Sequence, residues 1–102
     1  MSLATRPFDA AEYLDTPEAI AGYLDSALAS GDGAVIADAL GMVARARGMT
    51  QLARDAAVPR PTLYKALQAS GRPELATVLK VMSALGVRLS AKPAEPPSVA
   101  AE

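Results

Sequence analysis

Apolar residues in the first third of the chain recur every three or four positions, as Ile20, Tyr23, Leu24, Ala27 and Leu28, the spacing of one buried helical face. Thr16, Pro17 and Glu18 mark the start of that helix. They supply a capping hydroxyl, a proline with no N–H to satisfy, and an acid at the positive end of the dipole. Gly31 ends it. Upstream, DAAEYL at 9–14 is read either as another turn or two of helix or as a loosely docked arm. Asp32 caps a second helix with Ile36, Leu40 and Val43 on one face, Arg45 and Arg47 near its end and Gly48 just beyond. Thr50 is then expected to cap QLARDAA, and Pro59 with Pro61 punctuate the start of TLYKALQA, so two short helices sit on a tight turn. After the break at Ser70-Gly71-Arg72-Pro73, a further helix runs from about Glu74, with Leu75, Val78, Leu79, Met82 and Leu85 as an unbroken inward stripe up to Gly86.

Beyond Gly86 the period changes from 3.6 to 2: Val87, Leu89 and Ala91 alternate with Arg88, Ser90 and Lys92, the pattern of a short strand. A lone strand leaves its N–H and C=O groups unpaired, so a symmetry-related copy is expected to supply the partner. The expected architecture is therefore an all-α domain of about five helices, closed by a C-terminal β-strand that pairs across a dimer. Its organisation reads as an acidic helical extension (1–31), a main helical domain with its strand (32–92) and a proline-rich tail expected to be disordered (93–102).

The apolar fraction is 51%, but 23 of these residues are alanine; alanine favours helix and buries little area. With neither cysteine nor histidine, disulfides, thiolate chemistry, the commonest general base and the commonest metal ligands are excluded together. No enzymatic activity, cofactor or metal is expected. The N-terminus lacks a basic stretch followed by an apolar run, and no apolar window is long enough to cross a bilayer, so the expected location is cytoplasmic, with no membrane partner.

The net charge of −1 hides two opposed halves. Residues 1–44 carry Arg6 against Asp9, Glu12, Asp15, Glu18, Asp25, Asp32 and Asp38, a net of −6. Residues 45–92 carry Arg45, Arg47, Arg54, Arg60, Lys65, Arg72, Lys80, Arg88 and Lys92 against Asp55 and Glu74, a net of +7. Such asymmetry suits one surface for a polyanion and another for something basic. The acidic pairs Asp9/Glu12 and Asp15/Glu18 lie near helix starts, where the dipole accounts for them without catalysis. Gly31-Asp32-Gly33 lacks the further glycine and lysine of a phosphate loop.

TQLARDAAVPRPTLYKALQ, Thr50 to Gln68, carries the chemistry. In a helix-turn-helix the first helix needs a small residue where the second crosses it, here Ala53. A small residue opens the turn, here Ala57. Apolar residues then lock the pair: Val58, Leu63 and either Ala66 or Leu67. The N-terminal residues of the second helix are left free for the major groove. The base-reading candidates are Arg60, Pro61, Thr62, Lys65 and Gln68. Arg60 suits the O6/N7 edge of guanine, Lys65 a guanine edge or a phosphate, and Thr62 a thymine methyl or a phosphate. Phosphate candidates are Thr50 and Gln51 at a helix N-terminus, with Arg45, Arg47, Arg54 and Arg72. Tyr64 either stacks on the sugar-phosphate or packs its ring on the neighbouring helix.

The run GDGAVIADALGMVARARGMTQLARDAAVPRPTLYKAL, continued by PELATVLKVMSALGVRLSAKP and preceded by RPFDAAEYLDTPEAIAGYLDSAL, resembles the Cro/Xre-type helix-turn-helix antitoxins of addiction modules, the HigA-like antidote proteins, over about residues 6–93. The resemblance implies a lambda-repressor-like fold and a homodimer that represses its own operon on double-stranded operator DNA. It also implies a small basic toxin of the RelE/HigB kind as partner. Two departures stand out. Ala57 occupies a turn position that is more often glycine, costing about 1 kcal/mol if φ is positive, and Pro59 replaces a capping serine. The other readings are a solitary helix-turn-helix regulator and a module that sequesters a basic partner with little DNA binding. On the bland reading the acidic helix and the scattered bases are ordinary solvated faces.

Overall fold

A computed structural model describes residues 14–68 and 72–94. The 9–14 segment lies outside them except for Leu14, and so do residues 69–71 and most of the C-terminal tail. The described residues form five helices and no strand: α1 (Pro17–Ala29), α2 (Gly33–Arg47), α3 (Met49–Ala56), α4 (Arg60–Ala66) and α5 (Leu75–Ala84).

Caps set the ends of the first two helices as the residues dictate. The Ala19 N–H donates to the Thr16 hydroxyl at 3.1 Å, and the Ala34 N–H donates to Asp32 Oδ1 at 2.9 Å. Each bond satisfies a first-turn donor that has no partner inside the helix. α1 turns Ile20, Leu24 and Ala27 inward and packs on α2. α2 is buried over much of its circumference through Ala37, Ala39, Leu40, Gly41, Val43 and Ala44, so it forms the middle of the molecule. Leu52 and Leu63 from the α3–α4 pair and Val81 and Leu85 from the end of α5 complete the core, all fully buried.

Backbone closures decide where α3 and α5 stop. At the end of α3, Ala57 lies in the left-handed region (φ 59°, ψ 42°). Its N–H donates to the Arg54 carbonyl and the Val58 N–H to the Ala53 carbonyl, which is the Schellman arrangement. At the end of α5 the same pair of bonds recurs, Gly86 N–H to Ser83 and Val87 N–H to Met82, with φ of 82° at Gly86. One closure uses glycine and the other alanine, and the alanine carries the strain of that backbone region.

Glycine is required for a different reason at Gly41. A Cβ built there would stand 2.5 Å from the backbone carbonyl oxygen of Leu67, closer than non-bonded atoms approach. The last turn of α4 therefore seats directly on the α2 backbone.

Three expectations are corrected. Thr50 does not cap α3; the helix begins at Met49 with Gly48 at the cap position and no side-chain cap bond. Gly48 (φ 106°) both ends α2 and starts α3, so no free turn remains for Thr50 to close. No strand forms within the chain: Val87, Leu89 and Ala91 belong to an extended segment that pairs with none of the described residues. Val87 and Leu89 are partly buried against the core, while Arg88, Ser90 and Ala91 are exposed. A chain laid over helices also alternates in and out, so the period of two is met without a sheet. Finally, the α5 stripe is rotated. Val81, Met82 and Leu85 are buried, but Leu75 and Leu79 are 64% and 46% exposed.

Two stability measurements test these closures. Ala57→Gly relieves the left-handed strain and should raise unfolding stability by about 1 kcal/mol, or several degrees of Tm for a domain of this size; a lower Tm would show the alanine conformation to be unstrained. Gly41→Ala should destabilise by about 1 to 3 kcal/mol despite alanine's helix propensity. Gly22→Ala in α1, where a Cβ meets nothing within 4 Å, should instead stabilise by about 0.5 to 1 kcal/mol. Equal urea midpoints for the two variants would remove the proposed contact with the Leu67 carbonyl.

Candidate nucleic-acid interface

α3 and α4 are joined by Ala57, Val58 and Pro59, and the two helices pack on one another. Ala53, Val58, Leu63 and Leu67 are all buried, and Ala66 is half-buried. The lock foreseen around the turn is thus made chiefly by Leu63 and Leu67. Because Leu63 and Leu67 point inward, the opposite arc of α4 faces solvent. Arg60, Pro61, Thr62, Tyr64, Lys65 and the following Gln68 all lie there, exposed. No acidic residue occurs between Asp55 and Glu74, whereas Arg60, Lys65 and Arg72 do, so the exposed arc is electropositive.

The arc has two sides. Thr62, Lys65 and Gln68 border a shallow depression of about 540 Å³ with Arg72, Pro73, Glu74 and Thr77. Arg60 is not part of it. Five residues along a helix correspond to a rotation of about 140°, so Arg60 and Lys65 flank the outward arc without touching. The Arg60 guanidinium lies over the Tyr64 ring, 5.3 Å from its centroid, and its Nη2 donates to Tyr64 Oη at 3.2 Å. Tyr64 is therefore engaged by a residue of its own helix. At 43% exposure it is a platform one turn on from Arg60, and the guanidinium keeps most of its five donors available.

The phosphate candidates divide similarly. Arg45, Arg47, Thr50, Gln51, Arg54 and Arg72 are all exposed, as is Tyr64, but several side chains already have partners. Gln51 Nε2 donates to Asp55 Oδ1 at 2.8 Å, and Arg54 Nη1 donates to Gln51 Oε1 at 3.4 Å. Asp55, which the sequence did not single out, thus orients a small network along α3. Arg47 Nη1 donates to the Ala84 carbonyl at 3.3 Å and so closes the C-terminal end of α5, a structural task that accounts for it without nucleic acid. Arg45 Nη1 lies beside Gly41, near the seat of α4. Thr50 stands in the first turn of α3 and Arg72 at the rim of the depression. Gly41 is the positioning residue that sequence reading missed; its signal was a glycine inside an otherwise strong helix, where it costs about 1 kcal/mol relative to alanine.

The acids lie mostly on α1 and the first part of α2, with Arg88 and Lys92 of the C-terminal segment bordering α1 beside Asp25. Residues 14–44 hold Asp15, Glu18, Asp25, Asp32 and Asp38 and no base, all on exposed positions of α1, α2 and their caps. Between α1 and α2, Tyr23, Ser26, Ala27, Val35, Asp38 and Ala39 border a shallow groove, and Val35 is 44% exposed. Among the described residues no three His, Cys, Asp or Glu side chains are grouped to hold a metal ion, and no helix is long and apolar enough to cross a membrane.

Comparison with known proteins adds to this geometry. The family model described as "Probable addiction module antidote protein" matches residues 4–93. A Haemophilus influenzae protein, described only as an uncharacterized protein, is 47% identical over 88 residues, covering 86% of this chain and 91% of that protein. No solved structure matches the chain.

Proposed function

Because the chain belongs to the family of probable addiction module antidote proteins, we propose that it is a cytoplasmic antitoxin, without enzymatic activity, that represses its own operon and neutralises a basic toxin of the RelE/HigB kind. The reading of α3 and α4 as a Cro/Xre-type, HigA-like helix-turn-helix on a lambda-repressor-like domain rests on one observation above the rest. Two short helices are locked by Leu63 and Leu67, and the outward arc of the second is electropositive and solvent-exposed. In this reading α4 enters the major groove, Arg60 reads a guanine edge from its Tyr64 platform, and Thr62, Lys65 and Gln68 work on the other flank. Thr50, Arg54 and Arg72 hold phosphates, while the N–H groups in the first turn of α3 face the backbone. Acting as a homodimer, the protein would take a near-palindromic operator with half-site centres about 10 bp apart or a multiple of that.

The toxin reading is supported by the separation of charge. A basic protein complements the α1–α2 groove, with Val35 as the apolar centre and Asp38 beside it.

Two experiments test the assignments. In gel-shift titrations on its own promoter, Arg60→Ala should lose about 1 to 3 kcal/mol and blur one base position, whereas Arg54→Ala should weaken specific and random DNA alike. With about three phosphates held per protomer, log affinity should fall against log salt with a slope near −5. Equal losses for both variants on both DNAs would overturn the roles. For the toxin surface, Val35→Lys with Asp38→Lys should reduce toxin affinity by about tenfold or more and leave promoter binding intact. Unchanged neutralisation would place the toxin elsewhere.

A further inference from the structure

Two contacts hold Arg60 to Tyr64, one turn further along α4. The guanidinium lies 5.3 Å from the ring centroid, and its Nη2 donates to Tyr64 Oη at 3.2 Å. Both residues are exposed, so the pair is a small rigid unit on an open surface. A cation braced at ring and hydroxyl together has one flat face covered and one open. One of its five N–H donors goes to the tyrosine, and the rest suffice for two parallel bonds to O6 and N7 of guanine. Lys65, on the other flank of the arc, is a point charge on a flexible stem. The stacked arginine is therefore the group of the two whose plane is set before any ligand arrives.

We propose that Tyr64 is a positioning residue that makes Arg60 the reader of a dinucleotide step: a guanine preceded on its own strand by a pyrimidine bearing a 5-methyl group, thymine or 5-methylcytosine. The inference rests on the DNA reading of α4 and names the bases it takes. A guanidinium paired to O6 and N7 lies in the plane of the guanine. The next base lies about 3.4 Å away along the axis, and in a right-handed duplex the C5 edge of a pyrimidine on the 5′ side overhangs the major-groove edge of that guanine. With Tyr64 on one face of the cation, the other face is the one the methyl group meets. An unbraced arginine swings out from under such a methyl, whereas a stacked one is held against it. The weakly hydrated guanidinium loses little by meeting an apolar group, and burying one methyl is worth about fourfold in affinity. Ring and hydroxyl have separate tasks: the ring supports the plane of the cation, and the hydroxyl fixes its rotation over the ring. A cytosine at this place is bound more tightly once methylated, so the methylation state of the operator tunes its occupancy.

The test is fluorescence-anisotropy titration of the full chain on promoter duplexes. The guanine read by Arg60 is first located as the base whose replacement Arg60→Ala no longer senses, and the base on its 5′ side is then varied. The wild type should prefer thymine to uracil and 5-methylcytosine to cytosine, each by about fourfold, and guanine to adenine by about tenfold or more. Tyr64→Ala should lose both methyl preferences and about tenfold of the guanine discrimination, with its affinity for random duplex and its salt slope unchanged. Tyr64→Phe keeps the ring, so it should retain the methyl preferences and lose only part of the guanine discrimination. Wild-type binding that ignores both methyl groups overturns the proposal, as does a Tyr64→Ala chain that discriminates as the wild type does. Equal losses by Tyr64→Ala on promoter and random duplex also overturn it, since they would make the tyrosine a phosphate contact. An Arg60→Ala chain with the base preferences of the wild type defeats the DNA reading itself, a failure seen before any tyrosine variant is made.

Discussion

The seat of α4 on α2 is the constraint from which the rest of the site follows. With hydrogen alone at Gly41, the Leu67 carbonyl can approach the α2 backbone to a distance that any side chain would forbid. Leu63 and Leu67 then fill the space beneath α4, and its remaining arc has nowhere to face except solvent. An ordinary apolar interface would tolerate several helix rotations. A backbone-on-backbone contact tolerates few, because neither partner can adopt another rotamer to relieve it.

Around that seat the polar groups do two kinds of work. Arg47 and Gln51 serve the fold, one closing α5 and the other tying Asp55 to Arg54. Arg60, Thr62, Lys65 and Gln68 bind nothing in the core and are held only by their own helix, with Tyr64 restraining Arg60. The division matches the electrostatics. Carboxylates lie on α1 and the first part of α2, cations on the last turn of α2 and around α4, and residues of both signs border one groove between α3 and α5.

The sequence made the helix ends at Thr16, Asp32 and Gly31 legible, because a cap is a bargain among residues a few positions apart. The pair of short helices around Ala57 was legible for the same reason: Ala53, Ala57, Val58 and Leu63 are close in the chain and their sizes favour a tight turn. The approach at Gly41 could not be read, since its partner lies 26 positions away and nothing local announces it. The orientation of α5 failed differently. Periodicity establishes that Leu75, Val78, Leu79 and Met82 share a side, but not which arc of that broad side the neighbouring helices cover. At Val87 and Leu89 the alternation was real, yet it reflected an extended chain crossing helices, a surface that imposes the same in-and-out rhythm as a pleat.

The junction at Gly48 has a mechanical meaning. A single residue separates α2 from α3, so only one pair of soft backbone torsions lies between the two helices. Neither can swivel without dragging its neighbour. The angle between the two helices is thus set at one residue, and its φ of 106° is a backbone conformation that suits glycine and few other side chains.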